Sequence, residues 1–246
     1  MADDNQRKVI GVADPAALAT AAAERLLARI DANHGRAAIC LTGGSSPKQL
    51  YRLLATDRYR SRIPWERVHW FIGDERFVAP KDPLNNMGMA REIFLDSNAP
   101  AANIHPIPTD GADPEQSARR YERELQSFYG AREFEPARPL FDVVLMGVGP
   151  DGHTASLFPH DPAVEETTRW VVGVPKAHVE PFVPRVTLTL PALGSCREML
   201  FEVAGSGKRA ILARLFADEK LPANRARSTG ETVWLVDQAA PGGESS

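Results

Sequence analysis

Short apolar runs alternate along the chain with stretches whose apolar residues recur every three or four positions. Residues 9–12 form the first run and read as a strand. Asp14 and Pro15 then supply an N-cap and a proline at the first helical position. Behind them Leu18, Ala22, Leu26 and Ile30 recur every fourth residue, with Leu27 widening the stripe, until residues 33–35 give a stop signal. The spacing predicts a helix that lays one face on a sheet.

The alternation then repeats. Residues 37–41 predict a strand ending in Thr42-Gly43-Gly44-Ser45-Ser46-Pro47, after which Leu50, Leu53 and Leu54 carry helical spacing. Residues 68–72 predict a strand ending in Gly73-Asp74-Glu75-Arg76, with a helix over 86–95 behind it. Residues 141–146 predict a third, ending in Gly147-Val148-Gly149-Pro150-Asp151-Gly152-His153. Between them lie a proline-rich connector at 99–108 and a charged helix at 114–129. Strands at 170–174, 186–190, 199–204 and 233–236 and a helix at 208–217 complete the reading. This order predicts an α/β fold, a doubly wound and largely parallel sheet with helices on both faces. No repeat or long linker divides the chain, so one domain over 1–246 is expected, with residues 1–6 and 241–246 as disordered tails.

Composition narrows the partners. With 246 residues, 43% of them hydrophobic, the chain can bury a sizeable core. Its 29 basic and 32 acidic residues nearly cancel, so no global field points toward nucleic acid or an anionic membrane, and anion binding has to be local. Cys40 and Cys196 lack CxxC spacing and suit a reduced, cytoplasmic chain. The first eight residues are polar with no apolar run behind them, and no stretch reaches the ~20 apolar residues of a membrane span. A small-molecule substrate is expected, with no nucleic-acid, membrane or obligate protein partner.

In a parallel sheet, polar loops at the carboxyl ends of several strands converge on one crevice. In the turn Gly43-Gly44-Ser45-Ser46-Pro47-Lys48, backbone N–H groups, two hydroxyls and an ammonium can surround a phosphate at a positive helix end. The plainer alternative is an ordinary Ser-Pro helix start. Arg76 can grip a phosphate bidentately while Asp74 or Glu75 orients a catalytic group; the alternative is a structural ion pair. In the glycine loop at 147–153, Asp151 and His153 share one turn, and an imidazole can take and return a proton around neutrality. The literal G-x-G-x-x-G of this loop is a weak dinucleotide signal, because Pro150 interrupts it and no acidic residue caps the next strand. There is no G-x-S-x-G elbow, H-E-x-x-H helix or Walker loop, and His34, His69, His105, His160 and His178 show no metal-ligand spacing. Neither a covalent serine nor a metal is indicated.

Together, LTGGSSPKQLY at 41–51, GDERFV at 73–78, GVGPDGHTASLFP at 147–159 and RVTLTLP at 185–191 resemble the 6-phosphogluconolactonase family in order and spacing over nearly the whole chain. The stretch ending at 155–159 is the most specific. The resemblance implies a Rossmann-like fold shared with glucosamine-6-phosphate deaminases. It also implies hydrolysis of 6-phospho-D-glucono-1,5-lactone to 6-phosphogluconate in the pentose phosphate pathway, without metal or organic cofactor. It makes His153 the catalytic residue and Arg76 and Lys176 phosphate ligands. Two departures stand out: Asn85-Asn86 where relatives often have Ser-Asn, and Pro175-Lys176-Ala177-His178 where Pro-Lys-Pro-Pro is usual.

The expected mechanism has His153 activate water and return the proton to the departing ring oxygen. Asp151 or Asp74 orients the imidazole, and N–H groups of Gly44 or Gly149 hold the oxyanion. Ser45, Ser46, Arg76 and Lys176 hold the phosphate. Gly43, Lys48 and Asn86 join the substrate-binding set, and Arg185 and Lys208 are reserves, Arg185 alternatively pairing with a carboxylate. An amino-sugar phosphate deaminase or isomerase on the same fold is the first rival. A non-catalytic sugar-phosphate-binding protein is the second, although no DNA-binding or effector segment is visible.

Overall fold

Every residue of Ala37–Leu41 and Phe141–Met146 is buried, as expected of parallel strands covered on both faces. These segments are the centre of the sheet in the computed structural model, which describes residues 7–240. The expected tails at 1–6 and 241–246 lie outside the described residues. In chain order the elements are β1 (Lys8–Val12), α1 (Pro15–Ala32), β2 (Ala37–Leu41), α2 (Ser45–Leu54), α3 (Asp57–Arg60), β3 (Val68–Ile72) and β4 (Asp74–Arg76). Then come α4 (Asn86–Ala90), which runs on into a π turn at Arg91–Leu95, β5 (Ile104–His105), α5 (Pro114–Tyr129) and β6 (Phe141–Met146). The last are β7 (Val171–Val174), β8 (Arg185–Leu188), α6 (Leu190–Gly194), β9 (Cys196–Val203), α7 (Arg209–Phe216), α8 (Pro222–Arg225) and β10 (Glu231–Asp237).

The main sheet has the order β1-β10-β9-β6-β2-β3-β5, with every pairing parallel. Successive residues of β3 show how both faces are covered. Trp70 meets Phe94 of the π turn edge-on, and Phe94 stacks on Tyr51 of α2. Phe71 packs against Phe128 of α5 on the opposite face. On α1, Leu18, Ala22, Leu26, Leu27 and Ile30 are buried as the periodicity predicts, and Asp14 Oδ1 accepts the Ala17 N–H at 2.8 Å. Removing such a cap typically destabilises a helix by about 1 kcal/mol.

The chain leaves β2 toward β3 on one side, whereas β6 leads toward β9 on the other. The loops after β2 and β6 therefore emerge side by side at the point where the strand order reverses, the usual place for a ligand crevice.

Three expectations need correction. Asp74–Arg76 is not a loop closing β3; it is a strand paired antiparallel with β8, which pairs antiparallel with β7, in a separate three-stranded sheet. Segments 170–174 and 186–190 accordingly lie outside the parallel sheet, and residues 189–190 turn into α6 instead of extending β8. Gly73 makes the transfer: its N–H donates to Leu41 O of the main sheet and its carbonyl accepts the Leu188 N–H of the small one. Third, the proline-rich connector contains the short edge strand β5, paired with β3.

Candidate active site

After β2 the backbone turns through Thr42, Gly43 and Gly44 into α2. The Tyr51 hydroxyl pins this turn, accepting from Thr42 N at 3.1 Å and donating to Thr42 O at 2.7 Å. Gly43 is required because a Cβ there would lie 2.1 Å from Asn86 Oδ1, and Gly44 adopts φ +116°. No side chain caps α2. Its first-turn residues, Ser45 and Ser46, instead line a cavity of about 250 Å³. Gly147, Gly149 and Pro150 of the β6 loop, with Asp74, Arg76, Asn86, His153, Glu202 and Lys208, close it.

The β6 loop is folded around His153. Gly149 N donates to His153 O at 2.8 Å, Gly152 N donates to Gly149 O at 3.1 Å, and Thr154 Oγ1 donates to Gly147 O at 2.8 Å. A Cβ on Gly149 would fall 2.0 Å from the imidazole. Asp151 Oδ1 accepts both the His153 backbone N–H at 3.1 Å and ring Nδ1 at 2.5 Å. Burial pushes the Asp151 carboxyl up, but the hydrogen bond and charge of His153 outweigh it and hold it below the usual carboxylate range. The Nδ1 contact fixes the proton on that nitrogen, leaving Nε2 with no hydrogen-bond partner among the described residues. The side chain is 18% exposed. Asp74, the other expected orienting group, instead accepts from Ser156 Oγ at 2.6 Å.

Beside His153, the antiparallel ladder sets two cations opposite each other, with Arg76 of β4 in register with Arg185 of β8. Arg76 Nη1 donates to Leu84 O at 2.9 Å and Arg185 Nη2 to Pro181 O at 2.6 Å, while both buried Nε groups lack a partner. Neither guanidinium meets a carboxylate within ion-pair distance among the described residues, so Arg185 is not part of a structural pair. Burial lowers the Arg185 pKa, the like charge of Arg76 adds to this, and Asp74 and Glu75 oppose it. The two arginines line a second cavity of about 250 Å³, which shares Asp74, Arg76, Pro150, His153 and Ala155 with the first. His153 thus stands on the wall between two lobes.

Glu75 serves the frame. It is fully buried and accepts N–H groups from Arg76, Asn86 and Met87 at 2.8, 2.7 and 2.9 Å, anchoring the start of α4. Burial raises its carboxyl to about 7 against the pull of those bonds. Asn86 Nδ2 then donates to Asp74 O at 3.1 Å, which fixes its place on the cavity wall.

Two expected ligands are not brought in. Lys48, half-buried on α2, and Lys176, exposed after β7, line neither cavity. Lys208 does line the first lobe, with Nζ donating to Val148 O at 2.6 Å and its pKa lowered by burial. Glu202 was not among the expected site residues; its signal in the sequence is a carboxylate that interrupts the apolar stretch 199–203 of β9.

A histidine–aspartate pair in the loop at the switch point of the parallel sheet, with two arginines of the small sheet lining the same cavity wall and meeting no carboxylate among the described residues, marks an α/β enzyme that acts on a small molecule. Residues 13–234 match the family described as glucosamine-6-phosphate isomerases/6-phosphogluconolactonase, and the chain belongs to it. It is 44% identical over 216 residues to a 6-phosphogluconolactonase of Synechocystis sp., covering 85% of each chain. Its fold is similar to 6-phosphogluconolactonase from Trypanosoma cruzi, with TM-score 0.85 and 28% identity over 97% of both chains. A monomeric glucosamine-6-phosphate deaminase shares the fold, with TM-score 0.80 and 18% identity over 95% of this chain and 98% of that one.

Proposed function

We propose that this chain hydrolyses 6-phospho-D-glucono-1,5-lactone to 6-phospho-D-gluconate, the lactone-opening step of the pentose phosphate pathway, by His153-assisted attack of water. The observation that carries the mechanism is the 2.5 Å contact between His153 Nδ1 and Asp151, on the wall shared by the two lobes. With its proton held at Nδ1, the imidazole presents Nε2 as a base. Nε2 takes a proton from water as the water oxygen bonds to C1. The carbonyl π electrons move onto oxygen, and when the tetrahedral intermediate collapses, the C1–O5 bond breaks and O5 receives the proton from Nε2. The new carboxylic acid ionises in solvent.

Two groups were expected to meet the oxyanion, and their bonding separates them. The Gly149 N–H is spent on His153 O, whereas the Gly44 N–H, at the uncapped start of α2, carries no such bond among the described residues. Gly44 is therefore the donor we assign. Arg76 and Arg185 hold the phosphate, their unsatisfied Nε groups supplying donors that the fold itself leaves unused. Ser45, Ser46, Asn86 and Lys208 line the lobe beyond, where the ring hydroxyls go. A δ-lactone opens readily, so a positioned base worth about 10²–10⁴-fold is a substantial share of what is needed.

The scheme routes no step through a metal or cofactor, and its only partner is the small substrate. One core cluster running from Leu18 to Ala240 supports a single domain. Among the described residues no helix is long and apolar enough to cross a membrane. The two buried free thiols, Cys40 and Cys196, suit the cytoplasm. Incubation with glucosamine 6-phosphate and with freshly made 6-phosphogluconolactone tests the reading. Lactone turnover without ammonia release is expected, and the reverse pattern overturns it.

A further inference from the structure

The strand β9 carries two carboxylates four residues apart on one face, Glu198 and Glu202, and the fold treats them differently. Glu198 is met by Arg25 and Arg29 of α1, the second through Nε at 2.6 Å. Glu202 is 3% exposed, yet neither of its oxygens has a hydrogen-bond partner or an ion-pair partner among the described residues. It lines the first lobe, together with the α2 turn and Lys208, whose Nζ is committed to Val148 O. A buried carboxyl without a partner destabilises the fold. An apolar residue would fill the same strand position without that penalty, so the missing partner is one that arrives with the ligand.

We infer that Glu202 is a specificity-determining residue that hydrogen-bonds a ring hydroxyl of the sugar, on the side of the ring away from the phosphate. This rests on the sugar-phosphate lactone reading. The division of the cavity favours a hydroxyl over the phosphate: Arg185 lines only the second lobe and Glu202 only the first. A phosphate beside Glu202 would lie away from the facing arginines and, once the carboxyl ionises, would set like charges together in a buried place. A hydroxyl both donates and accepts, so it satisfies the carboxyl whether or not it carries its proton. In the lactone, C1 and C5 flank the ring oxygen. With the carbonyl at His153 and the phosphate arm toward the arginines, the remaining hydroxyls face the lobe that Glu202 closes.

The test compares wild type with Glu202→Leu and Glu202→Gln by calorimetric binding of two stable ligands, with lactone kinetics and melting temperature alongside. One ligand is 6-phosphogluconate. The other is 6-phosphohexanoate, which keeps phosphate and carboxylate but has no hydroxyls. Glu202→Leu should weaken 6-phosphogluconate about tenfold, raise KM for the lactone by a similar factor and leave 6-phosphohexanoate unchanged. It should also raise Tm, because it removes the unpartnered carboxyl. Glu202→Gln, which keeps a donor and an acceptor, should stay within about threefold of wild type for both ligands. Equal loss for both ligands, no loss for either, or a Glu202→Leu protein that melts lower or does not fold overturns the inference. Wild type that fails to turn over the lactone overturns the underlying reading instead, an outcome separate from any behaviour of the variants.

Discussion

Asp151 Oδ1 receives both the backbone N–H and the ring Nδ1 of His153, two residues further along the same turn. One carboxylate oxygen thereby sets the position, the rotation and the tautomer of the imidazole. Asp151→Asn keeps the shape but offers an amide that can donate as well as accept, so the tautomer is no longer fixed. Steady-state kinetics should show a fall in kcat of about 10–100-fold with KM nearly unchanged.

Gly149 touches no substrate in this scheme, yet its Cα lies where any side chain would strike the imidazole at 2.0 Å. Gly149→Ala should displace the ring and lower kcat by about 10²-fold, as small misplacements of a reacting group do. Circular dichroism should show the fold intact. Full activity in this variant would mean that the ring position is not critical.

The facing pair Arg76 and Arg185 should behave as one unit. Replacing either by Met removes charge-assisted bonds to the phosphate, each worth about 1.5–3 kcal/mol, and should raise KM by roughly 10–100-fold with a smaller effect on kcat. The double variant should lose less than the product of the two single losses, because the partners share one phosphate. Arg185→Met alone should not lower Tm, since it removes a buried cation that faces another.

Two buried carboxyls set the pH dependence of stability. Burial raises Glu202 to about 8, and raises Glu75 to about 7 against three backbone hydrogen bonds. Between the ordinary glutamate value of 4.5 and these values, the folded protein holds protons that the unfolded chain has released. Their stabilising contribution is complete at low pH and is lost as pH rises through that window. Denaturation midpoints should therefore fall from pH 5 to pH 8.5, and Glu202→Gln should flatten the upper part of the curve. An unchanged slope in that variant would place the titration elsewhere.

The sequence carried the parallel sheet well, because its strands are short apolar runs bounded by strong helix signals such as Asp14-Pro15 and the stop at 33–35. It also carried the His153 and Gly43–Ser46 segments, since glycines at strand ends leave a clear mark. What it did not carry depends on pairing between distant strands. The Arg76–Arg185 juxtaposition arises from the register of β4 on β8, and no local pattern announces that a three-residue strand follows Gly73. Lys176, which the family resemblance alone put among the phosphate ligands, lies outside both cavities. Glu202 was hidden because a charged residue in a strand normally signals an exposed face, as Arg197 of the same strand is, and here it lies on a cavity wall.

Hydrolysis of freshly generated 6-phosphogluconolactone, followed above its spontaneous background for wild type and His153→Ala side by side, tests the role of His153 as the base. Wild type should show clear turnover and the variant near-background rates, with Tm little changed. Wild-type activity that survives in His153→Ala would contradict the assignment of His153 as the base, and absence of activity in both proteins would contradict the lactonase reading itself.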